Sequence, residues 1–337
     1  MQPDEQRQFQ FASDLRIQRL LNGLWQVSGA HGAIDPRQAL PSMLALHTAG
    51  FTTWDLADHY GPAEDFIGEF RRQLAAAHGP AALTTVQAFT KWVPPPSRMT
   101  RPIVAEAIAL SRRRMDTESL DLLQFHWWDY ANEQYLVALD FLAELQQAGQ
   151  IKHLALTNFD SAHLQRILEH GIPIVSNQVQ YSLDRRPEVR LVPLCQARQV
   201  WLLTYGTLCG GFLSDRYLDQ PEPGRWALTT ASLKKYKQMI DAWGGWGLFQ
   251  QLLHTLEGIA GKYNVSIANV ATRTILDKPA VAGVIVGVRL GLSDHHADNA
   301  RVFALQLDAS DLQQIDNILS RSNDLFAIIG DCGDEYR

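Results

Sequence analysis

Four residues that could together move a proton to or from a carbonyl oxygen follow three short apolar runs of the chain. Asp55 and Tyr60 lie in WDLADHYG, Lys91 lies in FTKW, and His126 lies in LLQFHWW. They supply an acid, a phenol, an amine and an imidazole. If the three runs are strands of one parallel barrel, these side chains meet at a single mouth.

The chemistry that suits this set is proton transfer to a carbonyl oxygen. A phenol has an ordinary pKa of about 10 and donates poorly near neutrality, whereas a nearby ammonium favours the phenolate and lowers that pKa. An acid beside the amine keeps it charged in a half-buried setting, and an imidazole can bind the substrate oxygen and orient it. We therefore expect Tyr60 to be the acid in reduction and the base in oxidation.

Each of these residues also has an ordinary structural interpretation. Asp55 could cap a loop, Tyr60 could pack, Lys91 could be a solvated rim charge, and His126 could be a satisfied core histidine. Taken singly, each structural interpretation is the stronger one. Their ordered placement at three consecutive strand ends favours a shared site instead.

Short apolar runs alternate with amphipathic stretches, which is typical of strands buried on both faces and of helices that cover them. The predicted strands cover residues 20–27, 52–57, 83–92, 120–128, 153–158, 175–181, 200–207 and 281–288. The predicted helices cover residues 37–48, 64–77, 103–114, 133–147, 162–170, 188–198, 248–263 and 308–320. Eight strand-then-helix units predict an α/β fold, a right-handed (β/α)8 TIM barrel.

A doubly wound sheet would show the same alternation, but two observations argue against it. The polar residues end several different strands, as in barrel enzymes, and no GxGxxG follows any predicted strand. We predict one domain over residues 1–337, with the barrel in 16–305 and a C-terminal helix and tail in 306–337. Residues 211–247 form an oversized, functional or disordered insertion after the seventh strand, with a helix over 232–242.

The motifs that contain these four residues resemble those of the aldo-keto reductase family. WDLADHYG is similar to the family's Asp-x-Ala-x-x-Tyr-Gly motif, and FTKW and LLQFHWW are similar to its Lys and His motifs. The resemblance runs from GLWQ at Gly23 to Asn299. It implies a (β/α)8 barrel, a catalytic tetrad of Asp55, Tyr60, Lys91 and His126, and NADPH as the cofactor.

The resemblance also implies residues that bind the cofactor. Thr157 and Asn158 in ALTNF and Gln178 in NQVQYSL correspond to residues that hold the nicotinamide carboxamide, and Tyr205 in LTYGTL corresponds to the aromatic that stacks on the ring. Amide and hydroxyl groups fix the ring's orientation, and stacking selects the face that transfers hydride. The other implied cofactor contacts are Gly23, Leu24, Trp25, Asp55, Gly206, Leu208, Gly287, Arg289, Asp298 and Asn299.

The segment after the eighth predicted strand, IVGVRLGLSDHHADN, bears on the choice between NADPH and NADH. Gly287 would let backbone approach a ligand, and the Arg289 guanidinium matches the geometry of a 2′-phosphate. The segment is longer than the commonest family spacing. The pair His295–His296 predicts no metal site, because adjacent residues on a helix point apart.

Tryptophans near strand ends are candidates for an aromatic substrate pocket. We expect Trp25, Trp92 and Trp127 to line it together with Tyr60 and His126. The WGGWG stretch at 243–247 in the insertion is either a lid or a packing patch. The tail, residues 330–337, either shapes the pocket or lies on the surface.

Composition limits the partners. A formal net charge of -6 argues against bulk binding to nucleic acid or to an anionic membrane. Three scattered cysteines and the lack of a signal-like start favour a reducing, cytoplasmic location. We expect a small-molecule carbonyl substrate and favour a monomer. The alternative is a nucleotide-binding regulatory subunit of the same fold with little turnover; an isomerase without cofactor would leave Gln178, Tyr205 and Arg289 unexplained.

Overall fold

Eight parallel strands close into a barrel, preceded by a two-stranded hairpin. The computed structural model describes residues 6–29 and 34–332 of the 337-residue chain. The hairpin consists of β1 (Gln8–Ala12) and β2 (Leu15–Gln18). The barrel strands are β3 (Leu20–Gly23), β4 (Thr53–Asp55), β5 (Gln87–Trp92), β6 (Leu120–Phe125), β7 (Ile151–Thr157), β8 (Ile174–Gln180), β9 (Trp201–Tyr205) and β10 (Val281–Gly287), each paired in parallel with the next, and β10 with β3. The predicted (β/α)8 barrel is therefore confirmed.

Two predicted strands are shorter than the sequence indicates. β3 ends at Gly23, and residues 25–28 form a 3-10 helix, in which the Val27 N–H turns back to the Leu24 carbonyl at 3.0 Å. The start of the predicted third strand, residues 80–85, is also a 3-10 helix. Pro80 opens it, since proline lacks the N–H that a central strand needs but suits the first position of a helix.

The helices that follow the strands cover the outside of the barrel. They are α1 (Pro36–Thr48), α2 (Ala63–His78), α3 (Arg101–Arg114), α4 (Gln134–Gln147), α5 (Ser161–Glu169), α6 (Leu191–Arg198), α7 (Ala231–Trp243), α8 (Gly245–Tyr263), α9 (Ile267–Leu276), α10 (His296–Asn299), α11 (Ala309–Leu319) and α12 (Leu325–Ile329). The helix predicted within the insertion corresponds to α7. The predicted helix over 188–198 begins only at 191, because Arg186–Glu188 is a separate 3-10 turn. β1, β2, α9 and α12 were not predicted from the sequence, whereas α10 lies within residues 293–299, where a helix was expected.

The lower half of the barrel interior is apolar and closed by the hairpin. Phe89, Leu122 and Leu203 point inward from their strands and are at most 1 % exposed. Phe11 and Ile17 of the hairpin pack against this layer. The barrel is thus filled from below, and a ligand is expected at its upper end, at the carboxyl ends of the strands.

The insertion builds a second apolar cluster beside the barrel. Trp243 and Trp246 are buried there with Phe212, Phe249 and Leu253. These tryptophans therefore form the packing patch rather than an exposed lid. Within the described residues, no helix is both long and apolar enough to cross a lipid bilayer.

Candidate active site

The layer above the apolar floor of the barrel is polar. Side chains alternate along a strand, so Lys91 lies two residues beyond Phe89, and Gln124 two beyond Leu122. Asp55, Lys91, Gln124, Thr157 and Gln178 are all at most 3 % exposed. The sequence places a ring of charged, amide and hydroxyl groups at one level of the barrel, directly under the mouth.

Asp55 and Lys91 form a buried ion pair in this layer. Lys91 Nζ lies 2.7 Å from Asp55 Oδ2 and also donates to the Leu56 carbonyl at 3.0 Å. Burial lowers the pKa of Lys91, and the carboxylates of Asp55 and Asp58 oppose that effect. The pair places one ammonium, held by a carboxylate, in a polar layer that is shielded from water.

Tyr60 stands at the mouth beside this ammonium. It lies in the loop between β4 and α2 and is half-buried. Lys91 Nζ is 5.2 Å from the centroid of the Tyr60 ring, and the Trp25 ring meets the Tyr60 ring edge-on at 4.9 Å between centroids. The structure thus places the phenol, the ammonium and the carboxylate next to one another.

His126 lies above the end of β6 and is 3 % exposed. Its Nδ1 is 3.0 Å from the Thr157 carbonyl. A carbonyl oxygen only accepts, so this contact puts a proton on Nδ1 and fixes the orientation of the ring. The Trp128 ring meets the imidazole edge-on, with centroids 4.5 Å apart.

The amide and aromatic residues of β7, β8 and β9 form one connected group. Asn158 has a left-handed backbone, with φ of 59°, and its N–H donates to the Gln178 carbonyl at 2.8 Å. The Tyr205 hydroxyl donates to Asn158 Oδ1 at 2.7 Å, and Thr157 Oγ1 lies 3.3 Å from the Gln178 carbonyl. These four residues, predicted at three different strand ends, lie side by side.

The loop after β9 is covered by the insertion helix α7. Gly206 has φ of 67°, and a Cβ added there would lie 1.9 Å from the Tyr236 hydroxyl. Lys235 Nζ lies 5.5 Å from the centroid of the Tyr205 ring. Leu208, half-buried, packs against the insertion cluster. The sequence gave no signal for this contact, because Tyr236 is 30 residues from Gly206.

The remaining predicted cofactor residues are spread along the rim. Gly23 ends β3, and Leu24, which follows it, is fully buried. A Cβ at Gly287 would lie 2.1 Å from Gln26 Nε2. Arg289 is exposed and lines a cleft between α1 and the segment after β10. Asn299 is half-buried and lines the same cleft.

Asp298 has a structural partner in this segment. Its Oδ2 accepts from the Ser266 hydroxyl at 2.8 Å, and Ser266 caps α9. The carboxylate therefore ties α10 to α9, which limits its availability for a ligand.

Two of the tryptophans expected in the pocket lie elsewhere. Trp127 is fully buried in the layer between barrel and helices, and its indole N–H donates to the Asp129 and Asn132 carbonyls. Trp92 packs in the same layer, with its ring centroid 5.6 Å from that of Phe125. Strand alternation explains both positions, since 125 and 127 share the outer face of β6 and its continuation. Trp128, which was not among the predicted pocket residues, lies at the mouth and is 36 % exposed.

The start of the tail is fixed at the rim. Asp331 Oδ2 accepts from the backbone N–H of Ser161 at 2.8 Å, so the chain returns to the start of α5. Residues 333–337 of the predicted tail lie outside the described part. Among residues 6–29 and 34–332, no group of three or more His, Cys, Asp or Glu could hold a metal ion.

The fold and the site together define the class of protein. It is a parallel (β/α)8 barrel with a buried Asp–Lys pair, a tyrosine and a histidine at its mouth. A model of the aldo/keto reductase family matches residues 19–320. Because this match covers most of the chain, the protein belongs to the aldo/keto reductase family. Its members are oxidoreductases that act on carbonyls and bind a nicotinamide cofactor.

Individual relatives are distant. Aldo-keto reductase YhdN of Bacillus subtilis is 23% identical over 82% of this chain and 82% of its own length. The chloroplastic pyridoxal reductase of Arabidopsis thaliana is 27% identical, over 77% of this chain and 70% of the reductase. A probable voltage-gated potassium channel subunit beta of Oryza sativa is 25% identical, over 82% and 84%. Flagellar radial spoke protein 5 of Chlamydomonas reinhardtii is 29% identical over 48% of this chain, which spans only 34% of that protein.

Solved structures show the same fold. The glycerol dehydrogenase AKR11B4 from Gluconobacter oxydans superposes with a TM-score of 0.77 at 22% identity, over 95% of this chain and 97% of that one. An aldo/keto reductase from Klebsiella pneumoniae, in complex with NADP and acetate, superposes with a TM-score of 0.68 at 20% identity, over 94% and 98%. At this identity the likeness supports the barrel and leaves the substrate open.

Proposed function

We propose that this protein is an NADPH-dependent carbonyl reductase in which Tyr60 protonates the substrate oxygen. The observation that carries the proposal is the position of Lys91, whose ammonium is paired with Asp55 at 2.7 Å and lies 5.2 Å from the centre of the Tyr60 ring. An ammonium so close to a phenol stabilises the phenolate that remains after the proton has left. His126 would bind and orient the substrate oxygen.

The residues around the mouth fit a nicotinamide cofactor. Gln178 and Asn158 offer amide groups beside the half-buried ring of Tyr205, and Gly206 allows the left-handed backbone of the loop after β9. When bound, the cofactor supplies the hydride. The protein's own residues orient the nicotinamide ring and position Tyr60 to donate its proton. Trp25 and Trp128 screen the site from water.

The preference for NADPH over NADH is part of this proposal and rests on Arg289. We further propose a cytoplasmic location, supported by three cysteines, all within the described residues, that form no disulfide. The substrate is a small aldehyde or ketone.

The proposal is tested by NADPH oxidation across a panel of carbonyls that includes pyridoxal, sugars and simple aromatic aldehydes. We expect turnover with at least one class, and a loss of about 100-fold or more in kcat/KM for Tyr60→Phe, with cofactor affinity unchanged. Tyr135→Phe, at a buried tyrosine of α4, is the matched control and should retain activity. Full turnover by Tyr60→Phe would refute the proton-donor role.

The second candidate is a regulatory subunit, favoured by the similarity to a probable potassium channel β-subunit. Such a protein binds the nucleotide and turns over slowly. Tight NADPH binding without turnover of any carbonyl in the panel would support the regulator.

A further inference from the structure

A buried amide connects the Asp55 carboxylate to Gln178. Gln124 lies inside the barrel on β6, is 0 % exposed, and stands two residues before His126 on the same face of the strand. Its Nε2 donates to Asp55 Oδ1 at 2.9 Å, and its Oε1 accepts from Gln178 Nε2 at 2.6 Å. Gln178 Nε2 also donates to Asp55 Oδ1 at 2.6 Å. The three side chains therefore close a ring of hydrogen bonds.

The chemistry of this ring fixes the direction of both amides. An ionised carboxylate only accepts hydrogen bonds, so Gln124 and Gln178 must each turn a nitrogen toward Asp55. The second N–H of Gln178 is then taken by Gln124 Oε1. Both N–H groups of Gln178 are used inside the ring, and the polar atom that it can offer to a ligand is Oε1, an acceptor.

We propose that Gln124 is a positioning residue that holds Gln178 as an acceptor for the N–H of the nicotinamide carboxamide. This inference rests on the proposed function, since it assigns a cofactor amide to Gln178. Without Gln124, one N–H of Gln178 would lose its partner in a site that is only 3 % exposed. An unpaired buried donor is costly, so Gln178 would turn that N–H toward the mouth and present a mixed donor and acceptor face.

The consequence is selectivity for a cofactor ring that carries an N–H donor. The 3-acetylpyridine analogue of NADP⁺ keeps the carbonyl of the carboxamide and replaces its NH2 by a methyl group. In the wild-type protein this methyl group would face Gln178 Oε1 and leave that acceptor unpaired. A Gln178 side chain that turned an N–H toward the mouth would instead donate to the carbonyl group that both rings carry. Such a variant would therefore bind either ring.

The test compares binding of NADP⁺ and of its 3-acetylpyridine analogue, measured by quenching of tryptophan fluorescence. We expect the wild-type protein to prefer NADP⁺ by about tenfold. Gln124→Met keeps the side-chain volume without the amide and should reduce the preference to about threefold or less. Asn22→Leu removes another buried amide, which bonds to the Phe51 and Thr53 carbonyls outside the ring, and should leave the preference intact.

A double-mutant cycle distinguishes positioning from general loosening of the barrel. If Gln124 acts through Gln178, then Gln124→Met has no further effect on the preference in a Gln178→Met background. Gln124→Leu replaces Gln124→Met if the latter does not fold, as judged by circular dichroism.

Three results would overturn the inference. The wild-type protein could bind both dinucleotides with equal affinity, or Gln124→Met could keep the full wild-type preference for NADP⁺. The effects of Gln124→Met and Gln178→Met on that preference could also be additive. Failure of the wild-type protein to bind either dinucleotide would instead refute the proposed function.

Discussion

Lys91 Nζ lies 2.7 Å from Asp55 Oδ2, and each side chain is only 4 % exposed. Because the pair is removed from water, its two members depend on each other. The charge of one is tolerated only while the other compensates it, and the loss of a single partner leaves an unpaired buried charge.

The first prediction concerns the stability of this pair. Asp55→Asn should lower the free energy of unfolding by about 3–5 kcal/mol, and Asp55→Asn/Lys91→Met should cost less than the sum of the two single changes. Lys152→Met breaks a pair with Asp121 of the same 2.7 Å length but with a half-exposed lysine, and should cost less than about 1 kcal/mol. Urea unfolding measures all four variants. Equal losses for Asp55→Asn and Lys152→Met would contradict the argument.

The barrel and the ion pair were accessible from sequence because both follow from strand periodicity. Residues that end buried strands meet at one edge of a parallel barrel, and this placed Asp55, Lys91 and His126 together. The same alternation also points to Gln124, two residues before His126, which was not among the predicted site residues. Trp127 was assigned to the pocket for its residue type, whereas its place in the alternation puts it on the outer face.

Other features depend on contacts that no local pattern carries. Tyr236 reaches Gly206 only because α7 folds back over the loop after β9. Asp298 is held by Ser266, 32 residues earlier in the chain. The hairpin of β1 and β2 is short and closes the barrel through Phe11 and Ile17, a role that only the closed barrel reveals.

The second prediction separates the two neighbouring tryptophans. Trp128→Ala should raise KM for bulky aromatic aldehydes by about five- to tenfold, because a ring at the mouth beside His126 is lost, and should change KM for small aldehydes less than twofold. Trp127→Ala should lower the free energy of unfolding by about 3–5 kcal/mol, with little effect on the ratio of the two KM values. The opposite pattern would show that Trp127 faces substrate.

A third prediction concerns the cofactor's phosphate. Arg289→Gln should weaken NADPH binding by about ten- to a hundredfold, since a charge-assisted pair with phosphate is lost, and should leave NADH binding unchanged within about twofold. Arg72→Gln, at an exposed arginine of α2 paired with Glu69, is the control. Fluorescence titrations with both cofactors measure the ratio, and an equal loss for NADPH and NADH would remove Arg289 from the phosphate site.

The fourth prediction tests the contact between the insertion and the loop after β9. Gly206→Ala should destabilise the protein by about 2–6 kcal/mol and weaken cofactor binding, because the new methyl group collides with Tyr236 in addition to straining a backbone with φ of 67°. Gly211→Ala is the matched control: its φ is +100°, but a Cβ there has nothing within 4 Å. It should cost only the backbone strain, about 1–3 kcal/mol, and leave cofactor affinity unchanged. Equal cofactor affinity in the two variants would show that Tyr236 does not shape the loop.

The last prediction is a dependence of stability on pH from Glu64, a buried carboxyl of α2. Thr90 Oγ1 donates to Glu64 Oε1 at 2.7 Å, and Arg114 Nη1 lies 3.4 Å from Glu64 Oε2. Burial, the largest cause, raises the pKa of Glu64 above its ordinary 4.5, against the opposing effect of these hydrogen bonds. Between 4.5 and the raised pKa, the folded protein holds a proton that the unfolded chain has released. Stability attributable to Glu64 therefore falls as pH rises through that window.

Glu64→Gln has no carboxyl group to ionise in the folded protein. Its free energy of unfolding should therefore rise relative to that of wild type as pH rises from 4 to 8, with little difference below 4.5. Glu69, on the same helix but only half-buried, has a pKa lowered by hydrogen bonds from Gln73 and Arg72. Its stabilising effect is present above 4.5 and is lost as pH falls through the lowered pKa, so Glu69→Gln should change the urea midpoint slightly and in the opposite direction. Urea midpoints of the three proteins at pH 4, 6 and 8 measure the effect, and a constant difference between Glu64→Gln and wild type would show that Glu64 keeps its ordinary pKa.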